Sequence, residues 1–189
     1  MRRSATACFL LLTALSPLGA AAQSGLVSST ATVLLSATKV AQLSVTVNSG
    51  ATQTIASLTD GTVNNFPVPV SITTAWNLSP STAAVVLVGY FTSPTAALSN
   101  GTNLLPSSRV LGRLGTSGAF TAFTGGAVTG GSSTIGVAGG TLQLFSQGIF
   151  GFNRNSSRTD DLYLQLNLTG ITTVPGAYTG TLNLRAITQ

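Results

Sequence analysis

Beyond Cys8 the chain has no cysteine, and it has no histidine or glutamate anywhere. Those absences exclude imidazole general-base catalysis, thiol nucleophiles, the usual zinc ligand sets and a disulfide in the mature protein. The acids are Asp60, Asp160 and Asp161, and charged residues make up only 6% of the sequence. Glycoside hydrolysis needs two carboxyl groups facing one cleft, roughly 5 to 9.5 Å apart. Adjacent residues in an extended chain point to opposite faces, so Asp160 and Asp161 are badly placed for that task. As a calcium site the pair is short of carboxylates. Instead, a solvated loop over residues 153–160 is expected, with Arg154 and Arg158 balancing the two aspartates. Lys39 is the sole lysine and lies in a strand pattern with no serine–lysine motif. No G-x-S-x-G, P-loop or G-x-G-x-x-G occurs. The residues point to a protein that is not an enzyme and needs neither cofactor nor metal.

Long apolar runs are also missing from most of the chain, and the one at the start is a leader. Arg2 and Arg3 precede an apolar stretch that ends near Leu18, and Ala20, Ala21 and Ala22 supply small residues for a signal peptidase. Residues 1–22 are read as a signal peptide, which leaves 23–189 as one exported domain of 167 residues. A domain of that size can be stabilised by its core alone. The exported domain is expected in the periplasm, at the cell surface or outside the cell. Its six bases against three acids leave a charge of +3, with no basic cluster interleaved with aromatics. The footprint of a nucleic-acid binder is therefore missing. Serine, threonine, asparagine, glutamine and glycine must make up most of the surface, which carries little charge to oppose self-association.

What the sequence does have is alternation. Phe66, Val68, Val70, Ile72, Thr74, Trp76 and Leu78 fall on every second position of 66–78, a period that predicts a strand with one buried face. Pro67 and Pro69 lack ladder donors, which places this part on a sheet edge. Leu162, Leu164, Leu166 and Leu168 repeat the pattern, with Tyr163 facing outward, and Tyr178, Leu182 and Leu184 do so near the end. Further strands are expected at 25–35, 39–47, 53–58, 83–91, 109–114 and 141–145, the apolar run at 83–91 being central. Ten of the 21 glycines fall in 112–140, read as short strands near 119–123 and 135–137 joined by mobile loops. No amphipathic helix is evident. Many short strands separated by turn signals predict an all-β antiparallel sandwich.

The ending Val174-Pro175-Gly176-Ala177-Tyr178-Thr179-Gly180-Thr181-Leu182-Asn183-Leu184 resembles the final strand of bacterial pilin-like domains, in particular the spore coat U family of archaic chaperone–usher fimbriae. The resemblance implies an incomplete Ig-like sandwich completed by a neighbour's N-terminal segment. Val27, Ala31, Val33 and Leu35 would then insert as alternate side chains beside an exposed edge. It also implies a homo-polymer or an assembly chaperone as partner. Two alternatives stand beside this reading. One is a carbohydrate- or matrix-binding adhesion module using outward aromatics such as Tyr163. The other is an eight-stranded outer-membrane barrel, disfavoured because only 6% of the residues are aromatic, too few for the two interfacial girdles.

Overall fold

The computed structural model describes residues 28–189. The leader and Val27 lie outside the described residues. The chain divides into two units, Met1–Thr38 and Lys39–Gln189. In the first, residues 28–38 have no regular secondary structure and every side chain is exposed, so the strand expected at 25–35 is not formed over its described part.

The second unit is all-β and antiparallel, with one 3₁₀ turn at Ser107–Arg109 and no α-helix among the described residues. Its strands are β1 (Gln42–Ser49), β2 (Val63–Asn65), β3 (Val70–Asn77), β4 (Ala84–Tyr90), β5 (Leu98–Ser99), β6 (Leu104–Leu105), β7 (Val110–Leu114), β8 (Thr121–Ala122), β9 (Val128–Gly130), β10 (Ser133–Ile135), β11 (Thr141–Gly148), β12 (Asn155–Asn167) and β13 (Asn183–Thr188). One sheet runs β1-β3-β12-β7-β8, with β2 also paired to β12; a second runs β11-β4-β13. These sheets have free edges and do not close into a barrel, which removes the outer-membrane barrel alternative.

The two sheets enclose a common core. Val70, Ile72, Leu162, Leu164 and Leu166 from the first meet Leu87 from the second, and Leu168, Phe91 and Phe123 complete the cluster. Phe123 is fully buried and meets Phe91 edge to face, with ring centroids 5.2 Å apart. It fits there because Gly89 and Gly112 carry no side chain. A Cβ on either would lie 3.0–3.2 Å from the Phe123 ring. Trp76 belongs to a second cluster with Val85 and Ile149.

β4 is central, as its unbroken apolar run requires, with β11 and β13 on its two edges. Its outer face is covered as well. Val86 and Val88 pack with Ile187 of β13 and with Ile135 and Val128 from the β9–β10 hairpin. The glycine-rich stretch thus supplies a cover for the sheet. The second of its expected strands lies at Ser133–Ile135 rather than 135–137. Gly130 makes the close approach possible, since a Cβ there would sit 2.0 Å from the Thr188 carbonyl oxygen.

Other expectations are corrected by the pairing. β3 begins at Val70 and lies inside the sheet between β1 and β12, so Pro67 and Pro69 precede the strand and do not occupy an edge. Val68 is accordingly not a core residue; it is 50% exposed in the irregular approach to β3. No strand forms at 53–58. The expected loop at 153–160 is mostly strand, because Asn155–Leu162 pair residue for residue with β3. Asn155, Ser157, Thr159 and Asp161 face outward, Thr159 hydrogen-bonding Thr73 at 2.8 Å, while Arg158 and Asp160 take inward positions.

Candidate functional site

A groove of about 970 Å³ lies in the second unit. Its floor consists of core side chains: Val70 of β3, Leu164 and Leu166 of β12, and Phe91 just beyond β4. These residues are only 2–8% exposed, yet they open onto the groove instead of onto a covering strand. Phe66, Tyr178, Leu182 and Leu184, expected in the core, are half-buried around the same space.

Two irregular segments form the walls, 50–58 on one side and 173–181 on the other. Neither continues a sheet, and each is held by specific bonds. In the first wall Gly50 has φ +73° and would place a Cβ 2.4 Å from the Pro69 carbonyl oxygen, so the turn needs glycine. The Gln53 amide donates back to the Gly50 carbonyl at 2.9 Å. In the second wall Asp60 Oδ1 accepts from the Thr173 hydroxyl at 2.7 Å and from its backbone N–H at 3.1 Å. Ser99 and Thr179 exchange backbone bonds of 2.9 Å. The Tyr178 hydroxyl donates to the Val174 carbonyl at 3.1 Å and closes the Pro175-Gly176 turn. The strand expected from Tyr178 onward therefore starts only at Asn183.

Beside the groove the two sheets end in unpaired edges. Among the described residues β1 pairs only with β3, and β13 only with β4. Such edges present free N–H and C=O groups, the template for adding a strand. Among the proposed inserting residues, Val33 is 80% and Leu35 87% exposed, and Ala31 is exposed too. Leu34, on the opposite parity, is 95% exposed.

Of the two arginines expected to balance the aspartates, one does so. Arg158 and Asp160 share the inward parity of β12, and Arg158 Nε donates to Asp160 Oδ2 at 2.7 Å while its guanidinium lies 4.1 Å from the Phe145 ring centroid. Asp161 faces outward and is exposed. Arg154 donates to the Ser79 carbonyl at 2.7 Å and balances neither aspartate. No group of three or more His, Cys, Asp or Glu side chains that could hold a metal ion occurs among the described residues. No helix there is long and apolar enough to cross a membrane.

Tyr163 is half-buried rather than free, with the Arg113 guanidinium 5.6 Å from its ring centroid and stacked on Phe120 at 4.4 Å. Among the described residues the exposed aromatics are Phe150 (59%) and Phe152 (89%), stacked with centroids 6.1 Å apart in the loop that leads from β11 in one sheet to β12 in the other. Sequence reasoning passed over them. Their signal is Gly148-Ile149-Phe150-Gly151-Phe152, where two rings flank a turn glycine.

No protein-family model, curated protein or solved structure matches this chain. Its function must therefore be argued from the groove, the edges and the surface.

Proposed function

We propose that this chain is an exported, non-catalytic structural subunit of fimbrial type, an incomplete pilin-like sandwich that polymerises by strand exchange. In this reading a second copy lays residues 27–35 along the groove, with Val27, Ala31, Val33 and Leu35 entering as alternate side chains and its backbone pairing with a free edge. An assembly chaperone is the groove's occupant before exchange. The observation that carries the reading is a mismatch within one chain: core residues Val70, Phe91, Leu164 and Leu166 open onto a 970 Å³ groove, while Val33 and Leu35 are 80% and 87% exposed. Exposed apolar side chains such as Val33, Leu34 and Leu35 cost free energy until something covers them, and an apolar-floored groove offers that cover. With only 6% of its residues charged, the chain also places little repulsion between copies.

The test compares the secreted chain with a version lacking residues 23–36 by size-exclusion chromatography and thermal denaturation. The secreted chain is expected to form a concentration-dependent ladder of oligomers, and the truncated one a less stable monomer that a synthetic 23–36 peptide restabilises. Monomers of equal stability in both cases, indifferent to the peptide, would refute strand exchange.

A further inference from the structure

We infer a second site, separate from the groove, that binds a neutral oligosaccharide on the outer face of β1, β3 and β12. A concavity of about 490 Å³ lies there, lined by Gln42, Ser44, Ala75, Asn77, Asn155 and Ser157. The pairing registers explain why these side chains meet. Gln42 and Asn155 both stand opposite Asn77, forming a row of three amides across neighbouring strands. Ser44 and Ser157 stand opposite Ala75 and form the next row, where the small alanine leaves the floor low.

The chemistry of this lining selects the ligand class. It contains no ionisable side chain, so it offers no charge to pair with a phosphate, a carboxylate or a cation. Amides and hydroxyls both donate and accept, which matches vicinal sugar hydroxyls that do the same. Gln42, Ser44, Asn155 and Ser157 are exposed, so their polar groups face an incoming ligand. Protein interfaces are instead depleted in serine and centred on buried aromatic anchors, and this floor has no such anchor.

The exposed ring pair adds the apolar half of sugar recognition. Phe152 precedes Asn155 by three residues, so their Cα atoms are at most about 11 Å apart. That distance is within the span of a short oligosaccharide. The negative face of an aromatic ring attracts the weakly positive C–H groups on one side of a pyranose. The loop is also held in place. Asn153 Oδ1 accepts from the Phe150 N–H at 2.6 Å, its Nδ2 donates to the Gly148 carbonyl at 2.9 Å, and its own carbonyl accepts the Trp76 indole N–H at 2.8 Å. A fixed platform loses less entropy on binding than a mobile one.

The only tryptophan, Trp76, passes beneath the concavity between Ala75 and Asn77, and its inward-facing indole bonds the loop that carries Phe152, so its fluorescence follows changes in that loop. The experiment titrates the secreted chain with neutral linear trisaccharides to hexasaccharides of β-1,4-linked glucose, mannose, xylose and N-acetylglucosamine, and with oligogalacturonate as the acidic counterpart. At least one neutral series is expected to give a saturable change. The Asn77→Ala/Asn155→Ala double variant and Phe152→Ala are each expected to weaken it about tenfold, the loss of one or two well-made contacts. All the substituted side chains lie at the surface or half-buried, and an unchanged melting midpoint verifies the fold. Tyr163→Ala is expected to bind as the parent does. No response to any neutral series at millimolar concentration would overturn the proposal. So would equal binding of oligogalacturonate, or wild-type affinity in the double variant. A Phe152→Ala variant that self-associates less but binds sugar normally would assign the rings to a second copy instead. The sugar-binding outcomes leave strand exchange untouched, because it uses other residues.

Discussion

The indole N–H of Trp76 donates to the backbone carbonyl of Asn153 at 2.8 Å, tying β3 to the loop between β11 and β12, 77 residues away in sequence. The bond satisfies the one polar atom of a side chain that is otherwise 5% exposed. It also puts Asn153 where its amide can close the loop on both sides. Asn153→Ala removes the acceptor for Phe150 and the donor to Gly148 together. A loss of about 1–2 kcal/mol is expected in urea denaturation, with a red shift of the Trp76 emission as the loop loosens.

Phe123 depends on two glycines that face it from different sheets, Gly89 in β4 and Gly112 in β7. Gly112→Val would drive a branched side chain into the Phe123 ring and the Leu142 side chain, which lie 3.1–3.2 Å from the position of the first added carbon. Overpacking of this kind costs about 1–3 kcal/mol. Phe123→Ala, which empties the same space, is expected to cost about 3–5 kcal/mol. A pair of denaturation midpoints, both lowered, checks the prediction; an unchanged midpoint for either variant contradicts it.

Thr74 lies on the inward face of β3 at 1% exposure, and its hydroxyl has no hydrogen-bond partner among the described residues. Valine has nearly the same shape and buries no polar atom. Thr74→Val is therefore expected to stabilise the protein by about 1 kcal/mol, read as a higher urea midpoint at unchanged slope. A lower midpoint would show that the hydroxyl is satisfied.

Strand exchange makes a paired prediction. Val33→Asp should abolish polymerisation when every copy carries it, because an ionised carboxylate would have to enter an apolar groove. Leu182→Asp should do the same from the groove side. A mixture of the two is expected to stop at dimers, since one partner supplies an intact segment and the other an intact groove. Native mass spectrometry distinguishes those dimers from monomers and from longer chains.

The parts of the fold legible in the sequence were those where one face is buried and the other wet. β3 and the second half of β12 show a strict period of two, and the structure buries Ile72, Trp76, Leu162, Leu164, Leu166 and Leu168 on one face. β4 was legible for the opposite reason, an apolar run with no wet face at all. The first half of β12 was missed because Arg158 and Asp160 occupy its inward positions, neutralising each other against Phe145, so the pattern reads as a polar loop. Residues 53–58 alternate like a strand but pair with nothing. Their apolar positions, among them Ile55 and Leu58, serve as a groove wall. Val68 shows the limit of periodicity, since a proline on either side breaks the strand before its parity can count.

The groove could not be foreseen from alternation, which identifies strands but not a strand that is absent. The saccharide surface was hidden for a related reason. Gln42, Asn77 and Asn155 are far apart in the chain, and only the antiparallel register aligns them.

The cover over β4 carries a consequence for how the molecule opens. This strand has neighbours on both edges and side chains packed on both faces, so water reaches its amides only after the β9–β10 flap lifts. Hydrogen–deuterium exchange at Val86 and Val88 should then be set by the detachment of Ile135 and Val128. The segment with the fewest side chains of its own would thus act as the latch on the most protected strand in the domain.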